Sequence, residues 1–355
     1  MPGLPKPITV ADAGPRRAAG ARAAGRSGPR AGGHRSARPP GGRLRRGETI
    51  AGWAFIAPAV VVIIGLAIVP VGWSLLLSFQ ANDLVTPGHW VGLANYEALV
   101  TDPAFGQAVR NTLVYTALYV PLSVALGLAL ALALNRRIRL VGLYRVLFFV
   151  PFVISATVQG TLFAFVLDPQ FGAANSVLHA LGLEPQGFLT DPNQALLSLV
   201  GITLWSGTGF CVVVYLAALQ DVPVSLVEAA RLDGAGPWRL LWHITLPTLR
   251  PVTVFLVLWQ LITSLQVFDL VYVTTKGGPL GATTVIVYFI WEQAFKNFTA
   301  GYGAAAAYVL AVALLTIAIA QRLVRRRQEA LENRLAAGRI GGSGGGPEPV
   351  TGGRS

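Results

Sequence analysis

Two groups of residues in this 355-residue chain have the types and spacing to do more than pack. The first is dense and runs from Pro223 to Pro247. Ser225 with Glu228 three residues on is a capping box, which opens a helix. Ala229, Ala230 and Leu232 favour that helix, and Gly234 stands where a left-handed stop is wanted. Pro237 fits the first turn of a second helix; Trp238, Leu241 and Trp242 give it an apolar face and Pro247 ends it. Two short helices joined by a glycine turn make a rigid knuckle, and equally an amphipathic connector lying on a membrane. The second group is sparse: Gln159, Thr203, Ser206, Gln260, Gln266 and Asp269, each set in an apolar run. Trp205, Gly207, Phe210, Trp259, Phe268 and Tyr272 lie beside them. Hydroxyl-binding groups mixed with aromatic faces suit a sugar-like solute; helix–helix packing is the plainer role for any one of them. Asp269, near the outer end of its run, also reads as a structural residue of the outer interface.

Other chemistry is excluded by what the chain holds. Cys211 is the single cysteine, so neither an internal disulfide nor a thiolate metal cluster can form. His34, His89, His179 and His243 are scattered without zinc-like spacing, and no metal ligand set, paired carboxylates or Ser-His-Asp set stands out. A phosphate-cradling loop needs glycines followed by Lys and Ser or Thr. The stretch from Gly277 to Thr283 lacks the lysine, so the chain is not itself an ATPase.

The elements that position these residues follow from charge. Only 12% of residues are charged and 53% are hydrophobic, whereas ordinary soluble domains are about 25% charged. Uncharged runs cover 49–82, 111–135, 146–167, 192–220, 251–268 and 297–321; the fifth is interrupted by Asp269 and continues to Thr275. A span needs roughly 20 apolar residues, and these runs have no sustained polar face. The expectation is an all-α polytopic membrane protein of six transmembrane helices. Its spans run from about Gly52 to Phe79, Gln107 to Leu134, Arg145 to Leu167, Gln194 to Leu219, Pro251 to Thr275 and Gly301 to Leu323. The apolar piece from Ala282 to Trp291 is too short to cross and reads as interfacial or re-entrant.

The formal charge of +12 is met by the positive-inside rule better than by nucleic acid. With the N-terminus inside, 25 of the 28 Lys and Arg fall on the cytoplasmic side, leaving Arg110, Lys276 and Lys296 outside. Both termini are then cytoplasmic. Residues 1–47, rich in Gly, Ala, Pro and Arg, form a disordered basic tail that is solvated or touches membrane lipid. Residues 48–328 form the transmembrane domain with an inside loop at 220–250, and 329–355 form a flexible tail.

The pattern Glu228-Ala229-Ala230, Asp233-Gly234-Ala235, Ile244 and Leu246-Pro247 resembles the EAA loop of binding-protein-dependent ABC transporter permeases. Asn95-Tyr96, Phe105, Asn111-Thr112, Phe148 to Phe152, Trp205, Gly209-Phe210, Phe268-Asp269 and Gly277-Gly278-Pro279 resemble the sugar-transporting branch, the maltose and glycerol-phosphate type. The resemblance covers about residues 50–325. It implies an inner-membrane subunit that forms part of a sugar path. Its loop residues Glu228, Ala229, Ala230, Asp233, Gly234, Leu246 and Pro247 would couple to a cytosolic ATPase dimer, and that partner would hold ATP and magnesium. It further implies a second homologous permease, in a heterodimer, and an extracellular solute-binding protein. Thr203, Trp205, Gly207, Phe210, Gln266, Phe268, Asp269 and Tyr272 are the candidate path residues. The readings left open are a permease for a polyamine or peptide, and an ion-coupled secondary transporter. The second would want buried ionisable groups and no such loop.

Overall fold

Long runs of Leu, Val, Ala and Ile satisfy their backbone in an apolar surround by coiling, because a helix pairs every donor within its own segment. The structure, a computed structural model describing residues 46–135 and 141–341, is helical nearly throughout. Residues up to Val61 form one unit and residues from Val62 a second. The first, described from Arg46, is the leading part of helix α1 (Arg46–Ile63). A π turn, Ile64–Ile68, leads from α1 into α2 (Val69–Ser78).

Strands β1 (Gln80–Ala81) and β2 (His89–Trp90) pair antiparallel, Gln80 against Trp90. Helix α3 (Ala94–Thr101) precedes α4 (Pro103–Leu134), which begins with a textual signature of a helix start: Asp102 accepts from the Ala104 N–H at 2.8 Å and Pro103 takes the first turn. Then come α5 (Val141–Val153), α6 (Ala156–Val166), α7 (Ala173–Ala180) and α8 (Ala195–Gln220). They are followed by α9 (Val224–Leu232), α10 (Pro237–Leu240), α11 (Leu246–Leu265) and α12 (Asp269–Val273). Helices α13 (Ile286–Trp291) and α14 (Ala300–Gly341) complete the order.

Among the described residues, five helical stretches are long and apolar enough to cross a membrane: Ala51–Ser78, Pro103–Leu134, Ala195–Gln220, Pro237–Val273 and Ala300–Leu323. The sixth candidate, the expected third span from about Arg145 to Leu167, is not one continuous helix. α5 and α6 form a pair bent by 98°. Pro151 sits in the last turn of α5, and Ser155 restarts the chain as N-cap of α6, accepting from the Val158 N–H. The expected fifth span departs twice. Its helix starts at Pro237, well before Pro251, and its coil opens at Gln266 to Phe268 before α12. Helix α14 continues to Gly341, so residues 329–341, expected in a flexible tail, are helical. The remainder of both expected tails, 1–45 and 342–355, lies outside the described residues.

Helix α4 contributes to all three apolar cores of the second unit. Tyr115 and Tyr119 pack with Leu199, Ile202, Val271, Val285 and Tyr288. Ala131 packs with Cys211, Val212, Tyr215, Leu249 and Leu256. Ala108 packs with Leu99, Ile286, Phe289, Ala305 and Ala306. Small residues allow the close approaches: Gly207 lies against the Tyr119 hydroxyl, and Gly209 against the Phe148 carbonyl. At one end of α4, the Asn111 amide donates to the carbonyls of Gly281 and Thr284 at 2.9 and 3.0 Å. The Ile286 N–H donates to the Thr112 hydroxyl at 2.9 Å. These bonds tie the loop after α12 to a helix about 170 residues earlier in the chain.

Candidate functional site

The dense group forms the expected corner, with two corrections. Helix α9 is capped by Pro223, not by Ser225, whose side chain makes no capping bond. Glu228 therefore sits in mid-helix with its side chain exposed, and no capping box forms. The stop is as expected. Gly234 has φ +78°, its N–H donates to the Arg231 carbonyl, and the Ala235 N–H donates to the Ala230 carbonyl at 2.9 Å. That pairing is a Schellman motif. Gly236 and Pro237 then open α10. The second correction is that Pro247 does not end this helix. A π turn, Leu241–Thr245, carries α10 directly into α11, with the Leu246 N–H donating to the Leu241 carbonyl. A wider turn just ahead of Pro247 is how a coil accommodates a residue with no donor and a ring that crowds the carbonyl four residues back.

The corner is open on its outer side. Glu228, Ala229, Asp233 and Gly234 are exposed, while Ala230, Leu246 and Pro247 are half-buried. Leu232 is 90% and Trp238 73% exposed, large apolar groups left uncovered by this chain.

The sparse group divides. Gln159 is buried, and its amide donates to the carbonyls of Pro151 and Ile154 at 3.1 and 2.7 Å; it fastens the bend between α5 and α6. Thr203 accepts from the Tyr115 hydroxyl at 2.7 Å, bridging α8 to α4. Gln260 is buried and donates to the Cys211 sulfur at 3.3 Å. Gly207 is a packing contact with Tyr119. These residues hold helices together in this conformation. Phe210 stacks on Phe152 at 5.2 Å and meets Trp259 at 5.6 Å, and Trp205, 42% exposed, meets Phe163 edge-on.

At the break between α11 and α12, where Gln266 and Asp269 are exposed, Phe268 and Tyr272 come together with two residues that the sequence pattern does not single out. Phe268 stacks on Tyr272 at 5.4 Å, Tyr272 meets Trp291 edge-on at 4.9 Å, and Tyr288 lies 5.6 Å from Trp291. Tyr288 and Trp291 lie in the apolar piece too short to span, where the sequence marks no site. Their spacing of three on one helical face was the available signal. Burial, with the Glu292 charge beside it, pushes the Tyr288 phenol above its ordinary value. Lys296, paired with Glu292 at 2.7 Å, is likewise held above the usual ammonium value by that carboxylate.

The profile of the family described as binding-protein-dependent transport system inner membrane component matches residues 123–329. The chain belongs to that family. The permease is 34% identical to the lactose transport system permease protein LacF of Rhizobium radiobacter, over 81% of this chain and 97% of that protein. It is 32% identical to the sulfoquinovosyl glycerol transport system permease protein SmoG of Agrobacterium fabrum, over 80% of this chain and 93% of that protein. A solved bacterial ABC transporter involved in import of the acidic polysaccharide alginate shares its fold, with TM-score 0.71 and 25% identity over 80% of this chain and 97% of that one. The permease is a transport subunit of an ABC importer and not an enzyme.

Proposed function

We propose that the permease lines part of the path of a sugar or sugar-like solute and moves under the drive of a cytosolic ATPase dimer seated on α9. It would pair with a second, homologous permease and receive solute from an extracellular binding protein; ATP and magnesium would stay on the ATPase. The observation carrying this reading is the exposed corner at Gly234 joined through α10 and a π turn to α11, whose end at Leu265 meets the break that holds the aromatic cluster. A push on α9 is transmitted along α11 to the break that precedes Phe268 and Tyr272. ATP can drive such a change only by binding one conformation better than the other. The sugar class rests on relatives named for lactose and sulfoquinovosyl glycerol and on aromatic rings beside amide and carboxylate groups.

The test is ATPase activity of the purified complex with and without loaded binding protein. Glu228→Lys reverses the charge in the middle of the exposed α9 surface. We expect it to leave the permease inserted in the membrane and to abolish most of the stimulation and uptake. Full stimulation and uptake in that variant would make α9 a passive connector.

A further inference from the structure

The aromatic cluster carries more than a general lining role. Helix α12 turns Leu270 and Val271 into the core and leaves Asp269 and Tyr272 outward, three residues apart and hence neighbours on one face. Tyr272 is 41% exposed and Trp291, set edge-on to it, is half-buried. Among the described residues, the Tyr272 hydroxyl, the Trp291 indole N–H and the Asp269 carboxylate have no hydrogen-bond partner. These groups are therefore free to bond water or a solute. The face is not a lipid face, because an exposed carboxylate belongs in water or in a wet cavity. The rings behind it hold the pair in place: Phe268 stacks on Tyr272, and Tyr288 packs at a tilt against Trp291. The result is a rigid aromatic corner rimmed by one donor, one hydroxyl and one anionic acceptor.

We propose that Tyr272 and Trp291 form a stacking platform for the ring of an uncharged saccharide, with Asp269 accepting from its hydroxyls. The C–H face of a pyranose matches an aromatic face, and vicinal hydroxyls match a carboxylate. An anionic solute would meet Asp269 as a like charge, and the nearby Lys296 is already neutralised by Glu292. The inference rests on the sugar reading above and narrows it to neutral sugars.

The complete complex in nanodiscs, without binding protein, can be probed by saturation-transfer difference NMR with lactose and maltotriose as neutral probes and sn-glycerol 3-phosphate as the anionic one. We expect transfer to the sugar ring C–H protons and little to glycerol 3-phosphate. Tyr272→Ala and Trp291→Ala should lower the sugar signal at least fivefold, and Tyr272→Phe should retain it. Asp269→Lys should raise the signal of the anionic probe, which serves as an independent readout if an alanine variant fails to assemble. Unchanged sugar transfer in the alanine variants, no transfer to either sugar in the wild type, or preference for the anion would each overturn the proposal. Uptake of a panel of labelled sugars by cells carrying the whole transporter separates the two readings. Uptake that survives Tyr272→Ala removes the platform and leaves the transport function standing. No uptake of any sugar, neutral or acidic, removes the proposed function.

Discussion

Two glycines do opposite work, and substitution separates them. At Gly234 an added Cβ meets no atom within 4 Å, so space is not the issue. The φ of +78° is, and a left-handed backbone costs an L-residue about 1–2 kcal/mol. Gly234→Ala should therefore loosen the last turn of α9 without disturbing the rest. Amides from Ala229 to Ala235 should exchange hydrogen about ten times faster, measured by mass spectrometry, since about 1.4 kcal/mol is a factor of ten. Gly234→Asn should exchange more slowly than the alanine variant, because asparagine tolerates this region. At Gly207 the backbone is ordinary helix and space decides: a Cβ would collide with the Tyr119 hydroxyl. Gly207→Ala should destabilise by about 1–3 kcal/mol through overpacking. Tyr119→Phe, which removes the obstructing oxygen, should recover much of it in a double-mutant cycle read by thermal unfolding in detergent. Equal losses in the single and double variants would place the strain elsewhere.

At the scale of the element, the bend between α5 and α6 depends on one side chain. Gln159→Leu keeps the size but removes the side-chain donor to the Ile154 carbonyl and leaves the Pro151 carbonyl with only the Ile154 N–H. An unmade bond to a buried group costs about 1–3 kcal/mol, so a lower midpoint in thermal unfolding is expected. No local pattern announces this bend. Pro151 in an apolar run is as compatible with a kinked straight span as with a turn of 98°, and the deciding amide lies eight residues downstream of that proline. The opening at Gln266 to Phe268 is equally silent, with neither glycine nor proline to mark it. By contrast the Gly234 corner was legible, since its stop is set by a single residue's backbone and its restart by Pro237. Ser225 and Glu228 have the spacing of a capping box, yet Pro223 starts the helix two residues earlier than the serine would. The π turn at Leu241–Thr245 offers a direct check of the lever. Each residue turns a helix by about 100°, so deleting Ile244 should restore an α coil and swing α9 around relative to α11. Loss of ATPase stimulation with normal membrane insertion is the expected result.

For the whole molecule, the positions of the apolar runs were legible because water and hydrocarbon impose them residue by residue. The way the helices share cores was not, because it depends on partners far along the chain. The charge distribution makes a topological prediction that the fold alone does not: both termini cytoplasmic, the β1–β2 turn and the α7 region outside. Single cysteines at Val85 and Glu184, in a Cys211→Ala background, should react with an impermeant thiol reagent in intact cells. Cysteines at Gly14 and Gly345 should react only after lysis. The pairing of Asn111 and Thr112 with residues 281–286 also has a temporal consequence. At about 5–20 residues per second of synthesis, the donors and acceptors on α4 wait on the order of ten to thirty seconds for their partners to be made. Until then the second span is a nascent helix with an unmet polar end, a handle for insertion chaperones and membrane proteases alike. Chains truncated after Thr275 should accordingly be degraded faster in pulse-chase than chains truncated after Trp291, although both retain the same earlier spans.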